Sequence, residues 1–146
     1  MIEHEEESEP VVLHSKDVKP VTAPGGAVLR RIITPKEGCS KVFYVGVVVA
    51  DPGQPTHRWH THTYDKVGDY EVKFPEGFEE AYYIFEGSGT LYWRVKGRVK
   101  QRKVKRGDGL FFPAGVVKHQ LVNTGKKPLK AVYVGAPPLP FMLNKD

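Results

Sequence analysis

Apolar residues along this chain fall in short runs separated by glycine, proline and charged residues. The longest run, 41–50, reads Lys-Val-Phe-Tyr-Val-Gly-Val-Val-Val-Ala and predicts a buried strand. Residues 27–34 form another β-rich run, entered from the pair Gly25-Gly26. Residues 11–13 predict the start of an edge strand. Further strands are expected at 81–86, 110–112, 116–122 and 129–135, with a hairpin over 90–105. Turn chemistry sits between them: Asp51-Pro-Gly-Gln-Pro-Thr56, Gly107-Asp-Gly109, Pro113-Ala-Gly115 and Asn123-Thr-Gly125. No segment holds a 3.6-residue apolar period, and no repeat is evident. Short strands with Gly/Pro turns predict an all-β sandwich or closed barrel. The proline-rich stretch 136–142 cannot be a central strand, because proline lacks the ladder donor. Its Leu139, Phe141 and Met142 are expected to pack on the barrel or on a second subunit.

Three histidines and a carboxylate fall on these strand patterns. Side chains on a strand alternate between faces, so His60 and His62 share one face. Tyr82 and Ile84 share the face of Glu80, and Leu121 and Asn123 share that of His119. Three strands can thus send His60, His62, Glu80 and His119 into one interior. Neutral imidazole with carboxylate suits one divalent transition metal: Fe, Mn, Ni, Co, Zn or Cu. By parity His57 faces away from His60 unless a bulge intervenes. His4 and His14 lie outside any motif and are expected to be exposed.

The spacing of these residues resembles the cupin superfamily. Gly107, Pro113, Gly115, His119 and Asn123 follow its second motif, with one extra residue between Gly115 and His119. His60-Thr-His62 and Glu80-x6-Gly87 follow parts of its first motif, and the spacing favours Glu80 over Glu79 as the ligand. The resemblance covers roughly residues 40–135. It implies a double-stranded β-helix, or jelly-roll, barrel and a homodimer. The chain departs from the family pattern between His62 and Glu80, where residues 63–79 intervene. We read 63–79 as a loop or short hairpin inserted at the barrel mouth, from which Asp65 or Glu71 could supply the carboxylate instead. A similar insertion before a Glu-Glu-x-Tyr-Tyr-like strand occurs in 5-deoxyglucuronate isomerases of the superfamily.

Composition narrows the rest. At 146 residues the chain is expected to be one domain, 11–146, with its own core. Residues 1–10 carry five acids and no Lys or Arg, and are expected to be mobile. Removing them from the formal net charge of +5 leaves +10 on residues 11–146. Seven of those basic residues lie within 96–106. Aromatics are not interleaved there as a stacking platform for bases requires. The cluster is therefore expected to be a solvated hairpin that repels edge pairing rather than a nucleic-acid site. The only cysteine is Cys39, so no intramolecular disulfide forms. No apolar run approaches a membrane span. The N-terminus lacks a secretory pattern, and a cytoplasmic location is expected.

The expected partner is a small molecule. The resemblance implies a metal-dependent enzyme acting on a sugar- or keto-acid-like substrate, by Lewis-acid isomerase, epimerase or lyase chemistry. Glu79, Tyr64 and His57 are the candidates for moving a proton, and Tyr64 and Tyr82 for lining the pocket. The alternatives are an Fe-dependent dioxygenase and a non-catalytic barrel that binds a small ligand.

Overall fold

The computed structural model describes residues 9–36, 40–62, 64–67, 70–73, 77–115 and 117–138, with backbone only for 64–67 and 70–73. The expected mobility of 1–10 falls almost wholly outside them. So do the packing roles expected of Leu139, Phe141 and Met142.

Eleven strands appear among the described residues, and every pairing between them is antiparallel. They are β1 (Val21–Thr22), β2 (Val28–Ile33), β3 (Tyr44–Ala50), β4 (Tyr64–Val67), β5 (Tyr70–Lys73) and β6 (Glu79–Glu86). The rest are β7 (Ser88–Val95), β8 (Arg98–Lys105), β9 (Gly109–Phe112), β10 (His119–Val122) and β11 (Leu129–Ala136). The larger sheet has the order β1-β2-β3-β11-β6-β9 and the smaller β10-β7-β8. This is the two-sheet jelly roll, with its sheets not closed into a continuous barrel. The backbone of the 63–79 segment pairs β4 with β5 as a hairpin.

Alternation decides what is inside. On β3 and β11 every second residue is buried, from Tyr44 to Ala50 and from Leu129 to Gly135. Val48, Ala50, Ile84, Leu121, Leu129 and Ala131 form the centre of the core. On β6, Tyr82 and Ile84 are buried while Tyr83 and Phe85 are exposed. Two glycines on the inner face of the large sheet exist for close approach. A Cβ on Gly135 would collide with the Tyr44 hydroxyl, and one on Gly46 with the Tyr133 hydroxyl. Tyr44 pairs with Gly135 and Tyr133 with Gly46. Each tyrosine therefore lies across the glycine facing it, and the two rings pack with centroids 6.1 Å apart.

Asn123, expected to hold a turn, does so. Its buried amide donates to the carbonyls of Ala50 (2.8 Å) and Lys127 (2.7 Å), and its side-chain oxygen accepts from the Gly125 N–H (2.9 Å). That clamp fixes the chain just after β10, and so supports His119. The basic run occupies β8 and the turn before it. β8 is an edge strand with only Val104 buried, so its lysines and arginines face solvent along an unpaired edge.

The edge strand expected at 11–13 does not form. Val12 is 93% exposed, and the chain there runs without a ladder partner into a single 3-10 turn, Ser15–Asp17. What holds this segment is Arg30, which donates to the carbonyls of Ser15 (3.1 Å) and Val18 (3.0 Å). The short edge is supplied by β1 instead. No helix among the described residues is long and apolar enough to cross a membrane.

Candidate metal centre

His60 and His119 face each other across an isolated antiparallel bridge. Each N–H reaches the other's carbonyl, at 3.3 and 3.1 Å. This bridge joins the His pair to β10. His62 follows two residues later on the same face, and its carbonyl accepts the Phe78 N–H at 3.0 Å. The ring nitrogens of His60, His62 and His119 supply three ligand atoms within 4.8 Å of one another.

Hydrogen bonding fixes two of the tautomers. A carbonyl oxygen can only accept, so a ring nitrogen beside one carries the proton. His60 Nδ1 donates to the Arg58 carbonyl at 2.7 Å, and His119 Nδ1 to the Val117 carbonyl at 3.3 Å. Both rings thus present a bare Nε2, the form that binds metals. His62 is 0% exposed, stacked on Phe78 with ring centroids 4.2 Å apart and edge-on to Phe112. Neither of its ring nitrogens has a hydrogen-bond partner. A buried polar group without a partner costs about 1–3 kcal/mol. A metal ion among the three imidazoles would satisfy it.

Electrostatics agree with neutral rings. Burial pushes the His62 imidazole down to about 3 and the His119 imidazole to about 4. Polar contacts with the Phe112 and Phe78 backbones oppose the His62 shift, without meeting hydrogen-bond geometry. Burial, followed by the neighbouring His57 and His119, holds His60 well below the usual histidine range.

The other candidates take different places. Glu80 is inward-facing and half-buried, but it stands outside the group of three. Its carboxylate accepts a 2.5 Å hydrogen bond from the Tyr44 hydroxyl. Burial raises it to about 7, with the Tyr44 bond opposing. Glu79 is exposed, one residue out of phase with Glu80. Tyr82 is buried against Phe112 (5.1 Å) and Tyr133 (5.9 Å) as a core residue. The side chains of Tyr64, Asp65 and Glu71 lie outside the described residues. His57 departs from the parity expectation. Its ring centre is 4.3 Å from that of His60, not on the far face. The cause is a bulge: from Pro55↔Val122 to His60↔His119 one strand advances five residues and the other three.

Sequence reasoning missed the wall beside His119. A cavity of about 420 Å³ opens there, walled by Leu91, Trp93 and Val95 of β7, by Phe112, and by the loop through Val117. Trp93 is the cross-strand partner of His119, and such pairings are invisible in a single strand's pattern. Periodicity on β7 carried a faint signal, since Leu91, Trp93 and Val95 are spaced by two.

The fold is an antiparallel jelly roll in which three histidines converge as a group that could hold a metal ion. Residues 75–135, under half of the chain, match the cupin domain. No curated protein sequence matches the chain. Among solved structures it is similar to a predicted oxalate decarboxylase from Thermotoga maritima. Identity is 23%, coverage 86% of this chain and 98% of that one, and the TM-score 0.63. It is also similar to the polyketide cyclase RemF from Streptomyces resistomycificus, at 22% identity, 89% and 81% coverage, and a TM-score of 0.64. A proposed sugar phosphate isomerase from Acidithiobacillus ferrooxidans aligns at 22% identity over 75% of this chain and 60% of that one, with a TM-score of 0.54. At these identities the likeness is one of fold.

Proposed function

We propose that the protein is a metal-dependent enzyme whose His60, His62 and His119 hold one divalent transition metal against a small oxygen-bearing substrate. The observation that carries this is His62, fully buried with both ring nitrogens unpartnered beside two imidazoles whose tautomers aim Nε2 outward. When bound, the metal would act as a Lewis acid on a substrate oxygen. Glu80 is the proposed fourth ligand, on the strength of its spacing to Gly87 and its inward face. To serve, it must exchange its bond to Tyr44 for the metal. His57, next to His60, is the proposed group for moving a proton, because the bulge brings its ring to the site. Isomerase, epimerase or lyase chemistry fits such a centre. Iron with oxygen is the alternative.

The test is elemental analysis of untagged protein purified without added metal, as wild type and His119→Ala. Near-stoichiometric metal in the wild type and its loss in the variant support the proposal. A wild type that holds none of these ions, even after reloading, overturns it. Iron would direct the activity screen to oxygen uptake, and Mn, Co, Ni or Zn to proton exchange on hydroxy-carbonyl compounds.

We also propose a homodimer formed through the outer face of the large sheet. Phe111 (61% exposed), Tyr83, Phe85 and Val134 stand in solvent there on adjacent strands. Light scattering on wild type and Tyr83→Glu checks this. A dimer converted to monomer is expected, and a monomeric wild type would sink it.

A further inference from the structure

The cavity beside His119 bears on what the enzyme binds, and the inference drawn from it rests on the metal reading above. Its volume of about 420 Å³ falls in the roughly 300–1,000 Å³ range of small-molecule sites. Leu91, Trp93 and Val95 share the inner face of β7, and Phe112 and Val117 close the other side. The remaining lining side chains are apolar too. Among the described lining side chains, only His119 and the Trp93 indole N–H carry a polar atom.

Two physical consequences follow. A sugar acid lodged here would find few side-chain partners for its hydroxyls, and each one buried without a partner costs an unmade hydrogen bond. A flat apolar body would instead lie against Trp93 and Phe112, where aromatic contact adds to area burial. Phe112 stacks on the His119 ring with centroids 4.5 Å apart, so the aromatic wall runs directly into the imidazole group. A ligand in the cavity therefore meets apolar surface along its body and His119 at one end, with the His60 and His62 rings next to His119.

We infer that the substrate is an aromatic compound carrying one oxygen-donor end, a carboxylate, phenol or carbonyl. Its ring occupies the Leu91–Trp93–Val95 cavity, and its oxygen faces His60, His62 and His119. Substrate selection then rests on shape and apolarity in the cavity, and reactivity on the histidine end.

The test is calorimetric titration of the zinc-loaded full chain with 2-naphthoate and with galacturonate. Naphthoate is expected to bind at least tenfold more tightly. Val95→Glu and Val117→Glu each place a carboxylate at the cavity wall. Val117 is 40% exposed, so its replacement is expected to leave the fold intact. Both variants are expected to keep wild-type zinc content and to lose naphthoate affinity at least tenfold. Equal or tighter binding of galacturonate overturns the inference, as do variants that bind naphthoate like wild type. Failure of zinc to bind the wild type sinks the metal proposal instead. The cavity assignment is then read from naphthoate uptake by the metal-free chain, and uptake insensitive to Val95→Glu, or absent, overturns it.

Discussion

Replacing His62 with leucine should change stability in opposite directions with and without metal. In the metal-free protein the imidazole is 0% exposed and both ring nitrogens lack partners. At about 1–3 kcal/mol for each unsatisfied buried group, the ring carries roughly 2–6 kcal/mol of unrecovered desolvation. Leucine removes that cost. It also gives up the stack on Phe78, worth about 1 kcal/mol, and fits the imidazole's space imperfectly at about another 1 kcal/mol. The metal-free variant should therefore be more stable than metal-free wild type, by up to about 4 kcal/mol.

Metal reverses the order. Free ion at about 1,000 times Kd stabilises the wild type by about 4.1 kcal/mol, enough to offset that whole range. A variant with two of the three histidines gains far less at the same concentration. Urea denaturation of both proteins, with chelator and then with zinc, reads all four stabilities. If metal-free His62→Leu is less stable than wild type, the buried nitrogens are not the liability argued here. If zinc stabilises both proteins equally, His62 is not a ligand.

Glu80 should make metal-free protein less stable as pH rises. Its folded pKa of about 7 lies above its ordinary 4.5, so the stability is fully present below about pH 4.5 and is lost as pH passes 7, by about 3 kcal/mol. Glu80→Gln should flatten that slope in denaturation curves between pH 5 and 8, and an unchanged slope would assign it elsewhere. Gly135→Ala would press a methyl onto the fully buried Tyr44 ring and costs about 1–3 kcal/mol in the same assay, a neutral result contradicting the close approach. Tyr44→Phe removes the donor that competes for the Glu80 carboxylate. If Glu80 ligates, zinc affinity at pH 8 should rise about tenfold in a chelator-competition titration, whereas unchanged or weaker affinity would argue that Glu80 stays off the metal.

The jelly roll was legible because its strands are short, alternate cleanly and end at glycine or proline. Residues 44–50 and 129–136 show this, with every second side chain buried. The three histidines were legible because parity and motif spacing both pointed inward. Parity misplaced His57, because a bulge cannot be seen from one strand alone: it is defined by the partner's register. The 11–13 run misled for a related reason. Apolar residues suggested a strand, yet ladder formation needs a free edge at the right place, and β1 supplies that edge. The Tyr44–Glu80 contact spans 36 residues, so no local pattern could reveal it.

The interior is divided into unlike halves, and this division bears on the chemistry. Toward β7 and β10 lie the histidines and the apolar cavity. Toward β3 and β11 lie Tyr44 and Tyr133, each across a glycine, with Glu80 held between β9 and β11. The Tyr133 hydroxyl is buried without a hydrogen-bond partner, and the Tyr44 hydroxyl has spent its proton on Glu80. A carboxylate confined by burial exists as an anion only where something neutralises it, whether a proton, a tyrosine hydroxyl or a cation. A metal held by the histidine group would be such a cation. The tyrosine layer therefore sets the competition that a metal must win to take Glu80 as a ligand. The cavity on the opposite side remains open to the body of a substrate.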